Sequence, residues 1–523
     1  MDSISKGIQN LPPSSAEKAA PSSRASEEPS LPGDSVTISG AASRGKTRRT
    51  QSVKAEKALE GPKAAESKGT PVVFADCIGQ ITHLGIQVDG GVASDGNMGR
   101  EVFNTIKTLF RELEGDTKFT IVCDRDTDVK RIQSMMKEIN LKDPERVSLL
   151  RAPYDITSWM RDNMVMEGVP DKPGKAIMID KVPFQSHDHP NLPKWIADNT
   201  PDVIYVKDNH LRTDGGDVVS DEHKAYVGYD SIYLTAMNLY KKSPLGITTF
   251  SAAGLEKSPP VFESSHFSKK IVFDEVPAHS HLPRFHLEDN PEYKPIRTLM
   301  GQDPERASIS QAVRYFEGKY SKEVVVVGDD DPSTPAKEKP ATFHIDMGVT
   351  PVDNTTVLLG SPTMAMNMIR SWSPDKYAQA NASLQRETGL KGDILGDIMA
   401  HNSVADPKDP SVMMIQNNFD SQERKLRKAG KNIVKLPYLE GDNRKRTPWI
   451  TYGNCIMQNF TAKDGRHVKN VFLPVYGIPL DDVAKETYMA QGFKVVPLTL
   501  AAFTSLAGAI RCMSNYLGRS EAV

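Results

Sequence analysis

Apolar residues are distributed in two ways along the chain. From about Thr70 onward they recur in short blocks with alternating spacings: PVVFAD and ITHLGIQV predict strands, GREVFNTIKTLFREL has helical spacing, KFTIVCD predicts a buried strand, and VKRIQSMMKEI predicts an amphipathic helix. The alternation resumes in KAIMIDKV, DVIYV, KAYVGYDSIYLT, TVLLGS, NIVKLP, ITYGNCIMQNF and NVFLPVY, and it ends in the helix DDVAKETYMAQ and the strand FKVVPL. This order predicts an α/β architecture of repeated β-rich units, although no repeat is visible in the residues themselves. Two stretches break the rhythm. Residues 1–70 are rich in Ser, Pro, Ala, Lys and Glu and nearly free of aromatics, so they cannot bury enough apolar area to offset the entropy of ordering, and a disordered tail is expected. The interval 245–341 is dense in prolines and histidines and contains DDDPSTPAKEKP, which predicts an insertion or helical subdomain.

Composition narrows the function. The apolar share of 38% is low for a folded chain of 523 residues, as expected if a polar tail dilutes a globular body. A formal net charge of -2 leaves no excess of basic charge to neutralise phosphates, so nucleic acid is not an expected partner. No apolar run approaches the roughly 20 residues that span a bilayer, and the N-terminus lacks the apolar stretch of a secretory signal. A cytoplasmic protein is expected, or one exported without a signal peptide, for which the tail could carry the address or dock a protein partner. The four cysteines, Cys77, Cys123, Cys455 and Cys512, are scattered without any C-x-x-C pair, which argues against a thiolate zinc site or a disulfide framework.

Four stretches combine polar density with apolar flanks: SWMRD at 158–162, RTDGGD at 212–217, FHID at 343–346, and GAIRCMS at 508–514. On a strand, His344 and Asp346 would share one face by the two-residue period and so address one pocket together. Asp214 and Asp217 bracket a Gly-Gly turn, where an aspartate that caps its own backbone is the simpler reading. Cys512 alone would be read as a small buried hydrophobe.

Taken in order, these pieces resemble the guanidine-modifying enzymes of the pentein fold, including agmatine deiminases, bacterial peptidylarginine deiminases and arginine deiminases. SWMRD resembles the family's W-x-R-D element, RTDGGD its E-G-G element, FHIDMGVTPVDNTTVLLG its H-I-D strand with the strand that follows, and AGAIRCMSN its nucleophile loop. TYGNCIMQN and FLPVYGIPLDDVAKETYMAQGFKVVPL are similar to the Asn-bearing strand and the run before the cysteine. The resemblance implies a pentein-type α/β propeller of pseudo-five-fold ββαβ units over 71–523, with the insertion inside it. It also implies hydrolysis of a guanidinium to a ureido group and ammonia, without cofactor or metal. Cys512 would be the nucleophile, His344 the general acid and base, and Asp162 and Asp346 the carboxylates that hold the cation. Asp214, Asp217, Trp159, Asn454 and Arg161 would line or support the substrate site, the last two being structural on the plainer reading.

The chain departs from the family at the clamp. Leu506–Ile510 lacks the arginine that in free-arginine deiminases helps to hold the substrate carboxylate, and Arg511 stands where agmatine deiminases usually carry histidine. Peptidyl or protein arginine is therefore the favoured substrate, with agmatine or free arginine as alternatives. An amidinotransferase and a non-catalytic binding protein on the same fold remain as rivals. A metal hydrolase built on His187, Asp188 and His189, or on His279, His281 and His286, is a further rival, because these imidazoles have ligand-like spacing.

Overall fold

The computed structural model describes residues 70–182 except 171 and 173, and residues 188–241, 304–328, 344–403 and 410–520. The expected tail and much of the 245–341 interval lie outside the described residues. No helix among the described residues is long and apolar enough to cross a membrane.

The strands among the described residues form five separate sheets. Each contains an antiparallel pair whose second strand is followed, through helix, by a parallel partner. Ser514–Arg519, Ile81–Val88, Lys118–Cys123 and Val147–Arg151 make one such sheet. Val165–Gly168, Ala176–Val182 and Val203–Arg212 make the next, edged by Val72–Val73. The others are Val218–Ser220 with Lys224–Gly228 and Glu323–Val327; Val349–Pro351 with Thr356–Ser361, Asn432–Leu439 and Ile450–Thr451; and Ile456–Thr461 with His467–Val475 and Lys494–Thr499. The mixed α/β class expected from the apolar pattern is present, and the ββαβ order recurs in every sheet.

Two expectations need correction. KAYVGYDSIYLT is not one strand: the strand stops at Gly228, and Tyr229–Lys241 is helical, because the apolar residues beyond Gly228 recur at helical spacing, with Tyr229, Ile232 and Ala236 buried. Within the interval taken as an insertion, Pro304–Tyr320 is a helix and Glu323–Val327 a strand paired in parallel with Lys224–Gly228. That part of the interval completes a sheet. Its own strand, EVVVV, follows a helix with buried Ala312, Phe316 and Tyr320, the spacing of one apolar stripe.

The first and last described segments are joined by buried polar contacts. Arg519 donates through Nε to the carbonyl of Ile78 at 2.6 Å and through Nη2 to the carbonyls of Asp76 at 3.0 Å and Met457 at 2.8 Å, with its guanidinium 4.5 Å from the Tyr516 ring centre. In helix Gly96–Glu112, buried Glu101 accepts from the amides of Ala502 at 3.0 Å and Phe503 at 2.8 Å, which anchors the approach to the cysteine loop. Replacing Arg519 with Ala would leave three buried carbonyls without donors and is expected to lower stability by about 3 kcal/mol. Lys would not restore it, since one ammonium cannot span the guanidinium's fan of acceptors. Urea denaturation of both variants checks this.

Candidate active site

The cysteine loop is set from two sides. Cys512 sits in the short helical turn Ile510–Met513, directly before the strand Ser514–Arg519. Asn454 lies in an irregular break between Ile450–Thr451 and Ile456–Thr461, where its side chain is free to leave the ladder. Its Oδ1 accepts from the amides of Ala509 and Arg511, each at 3.1 Å, and of Cys512 at 3.2 Å, while its Nδ2 donates to Cys512 Sγ at 3.0 Å. One amide side chain thus fixes the loop and supplies a donor to the sulfur. On the other side, Trp159 packs on Gly508: a Cβ there would lie 2.4 Å from the indole, so only glycine admits this contact.

His344 reaches the same point by a different route from the one its sequence suggests. It does not lie on a strand. Its backbone is left-handed, with φ of 45°, and Ile345–Met347 forms a 3-10 turn before the strand Val349–Pro351 begins. The turn, not a two-residue period, brings His344 and Asp346 together. Donor atoms of His344, Asp346 and Cys512 all lie within 4.8 Å of one another, and all three residues are buried. Gly216 makes room for the ring, since a Cβ at that position would be 2.9 Å from His344 Cγ.

Carboxylates surround this centre. His344 Nε2 is 3.7 Å from Asp162 Oδ1 and 3.6 Å from Asp214 Oδ2. Asp346 Oδ2 accepts from Arg511 Nη1 at 2.7 Å and lies 3.9 Å from Cys512 Sγ. Asp162 Oδ1 and Asp346 Oδ1 are buried and accept no hydrogen bond. Asp76 holds the far side of Arg511, with contacts of 3.1 Å from Nε and 3.2 Å from Nη2.

The remaining expected residues divide. Asp217 is buried but turns to Ser231, whose hydroxyl donates to its Oδ2 at 2.5 Å, and its other oxygen packs against Gly228. Among the described residues Arg161 pairs with no carboxylate: its guanidinium lies 4.9 Å from the Tyr516 ring centre, and its Nε donates to the carbonyl of Arg511 at 3.4 Å. Sequence reasoning missed Asp76 and Lys181. Lys181 donates to Asp214 Oδ1 at 2.9 Å and to the carbonyl of Asp162. The signal was there: in the strand Ala176–Val182 the residues other than Asp180 and Lys181 are apolar, and an enclosed lysine there calls for an anion beside it.

Burial sets the proton affinities. It pushes the Cys512 thiol up to about 11, reinforced by Asp346 and opposed by the hydrogen bond to His344. For His344, burial disfavours the imidazolium, but Asp162 and the hydrogen bonds to Asp214 and Cys512 outweigh it, and the group is held well above its ordinary value. Burial lifts Asp162 to about 7 despite the imidazole beside it. Asp214 goes the other way, because Lys181 and His344 overcome its burial and hold it low.

The trio His344, Asp346 and Cys512 also has donors suited to a metal ion, but Arg511 already engages Asp346 Oδ2, one of the oxygens such an ion would use. Of the histidines in the metal reading, His187, His279, His281 and His286 lie outside the described residues. His189 stacks on Tyr154 with ring centres 3.9 Å apart, and Asp188 accepts from Thr157, Gln87 and Asn163. That aspartate braces the loop leading to Trp159.

No family model matches the chain, and no curated protein does. Among solved structures the chain is similar to C. Jejuni agmatine deiminase, at 12% identity over 88% of this chain and 100% of that one, with a TM-score of 0.47. It is also similar to the agmatine deiminase of Enterococcus faecalis, at 10% identity over 88% and 100%, with a TM-score of 0.46. An amidinotransferase from Microseira wollei follows at 10% over 86% and 98%, with a TM-score of 0.35.

The thiol's raised proton affinity has a direct consequence. In the ligand-free protein at neutral pH, iodoacetamide should alkylate Cys512 on the order of 100-fold more slowly than a free cysteine. Mass spectrometry of the Cys512 peptide checks this, and fast alkylation would reveal a preformed thiolate.

Proposed function

We propose that the chain is a hydrolase that deiminates a guanidinium group through a covalent adduct on Cys512. One observation carries this reading: a buried thiol and imidazole meet within 4.8 Å beside carboxylate oxygens of Asp162 and Asp346 that accept no hydrogen bond. A planar cation is the ligand those oxygens lack, since each can take an N–H and the pair can fix its plane. The cation's arrival also changes the sulfur. A positive charge beside Cys512 offsets the burial that suppresses the thiolate, so ionisation is coupled to binding.

The chemistry then runs through His344. The thiolate forms an S–C bond to the guanidinium carbon. His344 gives its proton to one nitrogen, whose C–N bond breaks to release ammonia. The neutral imidazole takes a proton from water, the resulting hydroxide adds to the thiouronium carbon, and the S–C bond breaks as the added hydroxyl gives up its proton to solvent, returning the thiolate and a ureido product. Asn454 Nδ2 supports the ionised sulfur at both ends of the cycle. In the same reading the five ββαβ sheets close into a propeller; their shared strand order and the pairing of Ser514–Arg519 with Ile81–Val88 support this.

Peptidyl or protein arginine is the substrate we favour. Arg511 is committed to Asp76 and Asp346, and Arg161 to the Arg511 carbonyl and the Tyr516 ring, so neither arginine is placed to clamp a free α-carboxylate. The same observation admits agmatine, which has no carboxylate. An amidinotransferase would pass the adduct to an amine in place of water.

Ammonia release is the test, with benzoyl-arginine amide, an arginine-containing protein, agmatine and free arginine offered in parallel. Cys512→Ala should abolish it, and Asp162→Asn should lower kcat/KM by about 100-fold or more. Free arginine should be the poorest substrate. Equal turnover by wild type and Cys512→Ala would contradict the reading.

A further inference from the structure

Lys181 takes no part in the steps above, yet its ammonium is fully enclosed, with 0% of the side chain exposed. It touches both supports of the imidazole. It donates to Asp214 Oδ1 at 2.9 Å and to the carbonyl of Asp162, and these are the two residues whose carboxylates flank His344 Nε2 at 3.6 and 3.7 Å.

Stability alone is a weak reason for such a pair. Taking an ammonium and a carboxylate out of water costs several kcal/mol, and a well-packed apolar side chain of similar volume is often as stable. The effect on neighbours is more specific. With one oxygen on Lys181, Asp214 is fixed in rotation and directs its other oxygen at the imidazole. Asp214 is thereby committed to His344 and is removed from the set of oxygens offered to substrate, which leaves Asp162 and Asp346.

The charge matters as much as the geometry. The groups facing His344 are Asp162 and Asp214, Asp217 next to Gly216, Cys512 with Asp346 beyond it, and Tyr438 and Glu440 across the pocket that His344 helps to line. The carboxylates and the sulfur, wherever ionised, favour the imidazolium. Unopposed, they would hold the proton too tightly for transfer to a leaving nitrogen. Lys181 opposes them from one side of Asp214.

We propose that Lys181 is a positioning residue that locks Asp214 against His344 and keeps the imidazole's hold on its proton weaker than the flanking carboxylates alone would make it. The proposal rests on the reading of His344 as the proton-transfer group.

Lys181→Met removes both charge and contact, and Lys181→Gln keeps a donor for Asp214 without the charge. The proton affinity of His344 is read by carbon NMR titration of histidine-labelled protein, with the resonance assigned by comparison with His344→Gln. In either variant the His344 midpoint should move alkaline by about one unit, as expected for loss of a nearby buried cation. With whichever guanidine the wild type turns over, kcat should fall about tenfold or more with a smaller change in KM, and the pH optimum should move with the midpoint. Lys181→Arg, which keeps the charge, should return part of the shift. A folded Lys181→Gln whose His344 midpoint matches wild type would overturn the proposal, even if its activity were lower, because a merely structural role changes the folded fraction and not the titration. If the wild type released ammonia from no guanidine, the hydrolase reading would fail, while the NMR midpoint would still decide the role of Lys181.

Discussion

The guanidinium of Arg511 lies buried where segments distant in the chain meet, and its need for partners orders the site around it. It is held by both oxygens of Asp76, by Asp346 Oδ2 and by the carbonyl of Val218. Those partners come from the first described segment, from the turn after His344 and from the start of a short strand. Because Arg511 immediately precedes Cys512, satisfying the one places the other. Removing a single partner from such a buried charge costs about 3–5 kcal/mol, so the segments are bound to a common geometry. Asn454 refines that geometry by tying the loop amides and the sulfur to one side chain.

The same network explains why the site suits a cation. Its acids are not interchangeable. Asp76 neutralises Arg511, Asp214 is shared between Lys181 and His344, and Asp217 Oδ2 is taken by Ser231. Only after those commitments do Asp162 Oδ1 and Asp346 Oδ1 remain without a donor beside the thiol. The protein supplies fixed cations to the acids that shape the site and leaves open the two that a planar ligand could bridge. A buried acceptor left without a donor costs about 1–3 kcal/mol, and a bound guanidinium would recover this.

Much of the fold was legible because strands buried on both faces are written as runs of β-branched and aliphatic residues; ITHLGIQV, KFTIVC and AIMIDKV are examples. The five-fold recurrence was not, since the helical connections differ so widely. One sheet is closed by the single helix Leu480–Ala490, whereas Pro362–Arg370, Pro374–Thr388, Ile394–His401 and Pro410–Lys428 all intervene in another. The strand EVVVV was lost inside a segment whose neighbours read as irregular. At the site, Cys512, His344, Asp346, Asp162, Asp214 and Asn454 are brought together, as ordered motifs suggested. The means differed, since a left-handed His344 and a 3-10 turn replace the expected strand. Asp217 shows the limit of motif reading: two carboxylates around one Gly-Gly turn look alike in sequence, and only packing against Ser231 and Gly228 separates them.

The central claim is a bond between Cys512 and a guanidinium carbon. It is tested most directly by mixing the protein with a turned-over guanidine, quenching in acid within a single turnover, and mapping added mass on its peptides. The account predicts a thiouronium adduct on the Cys512 peptide of the wild type that is absent in Cys512→Ser. Ammonia release without any adduct on Cys512, or an adduct on another residue, would contradict it.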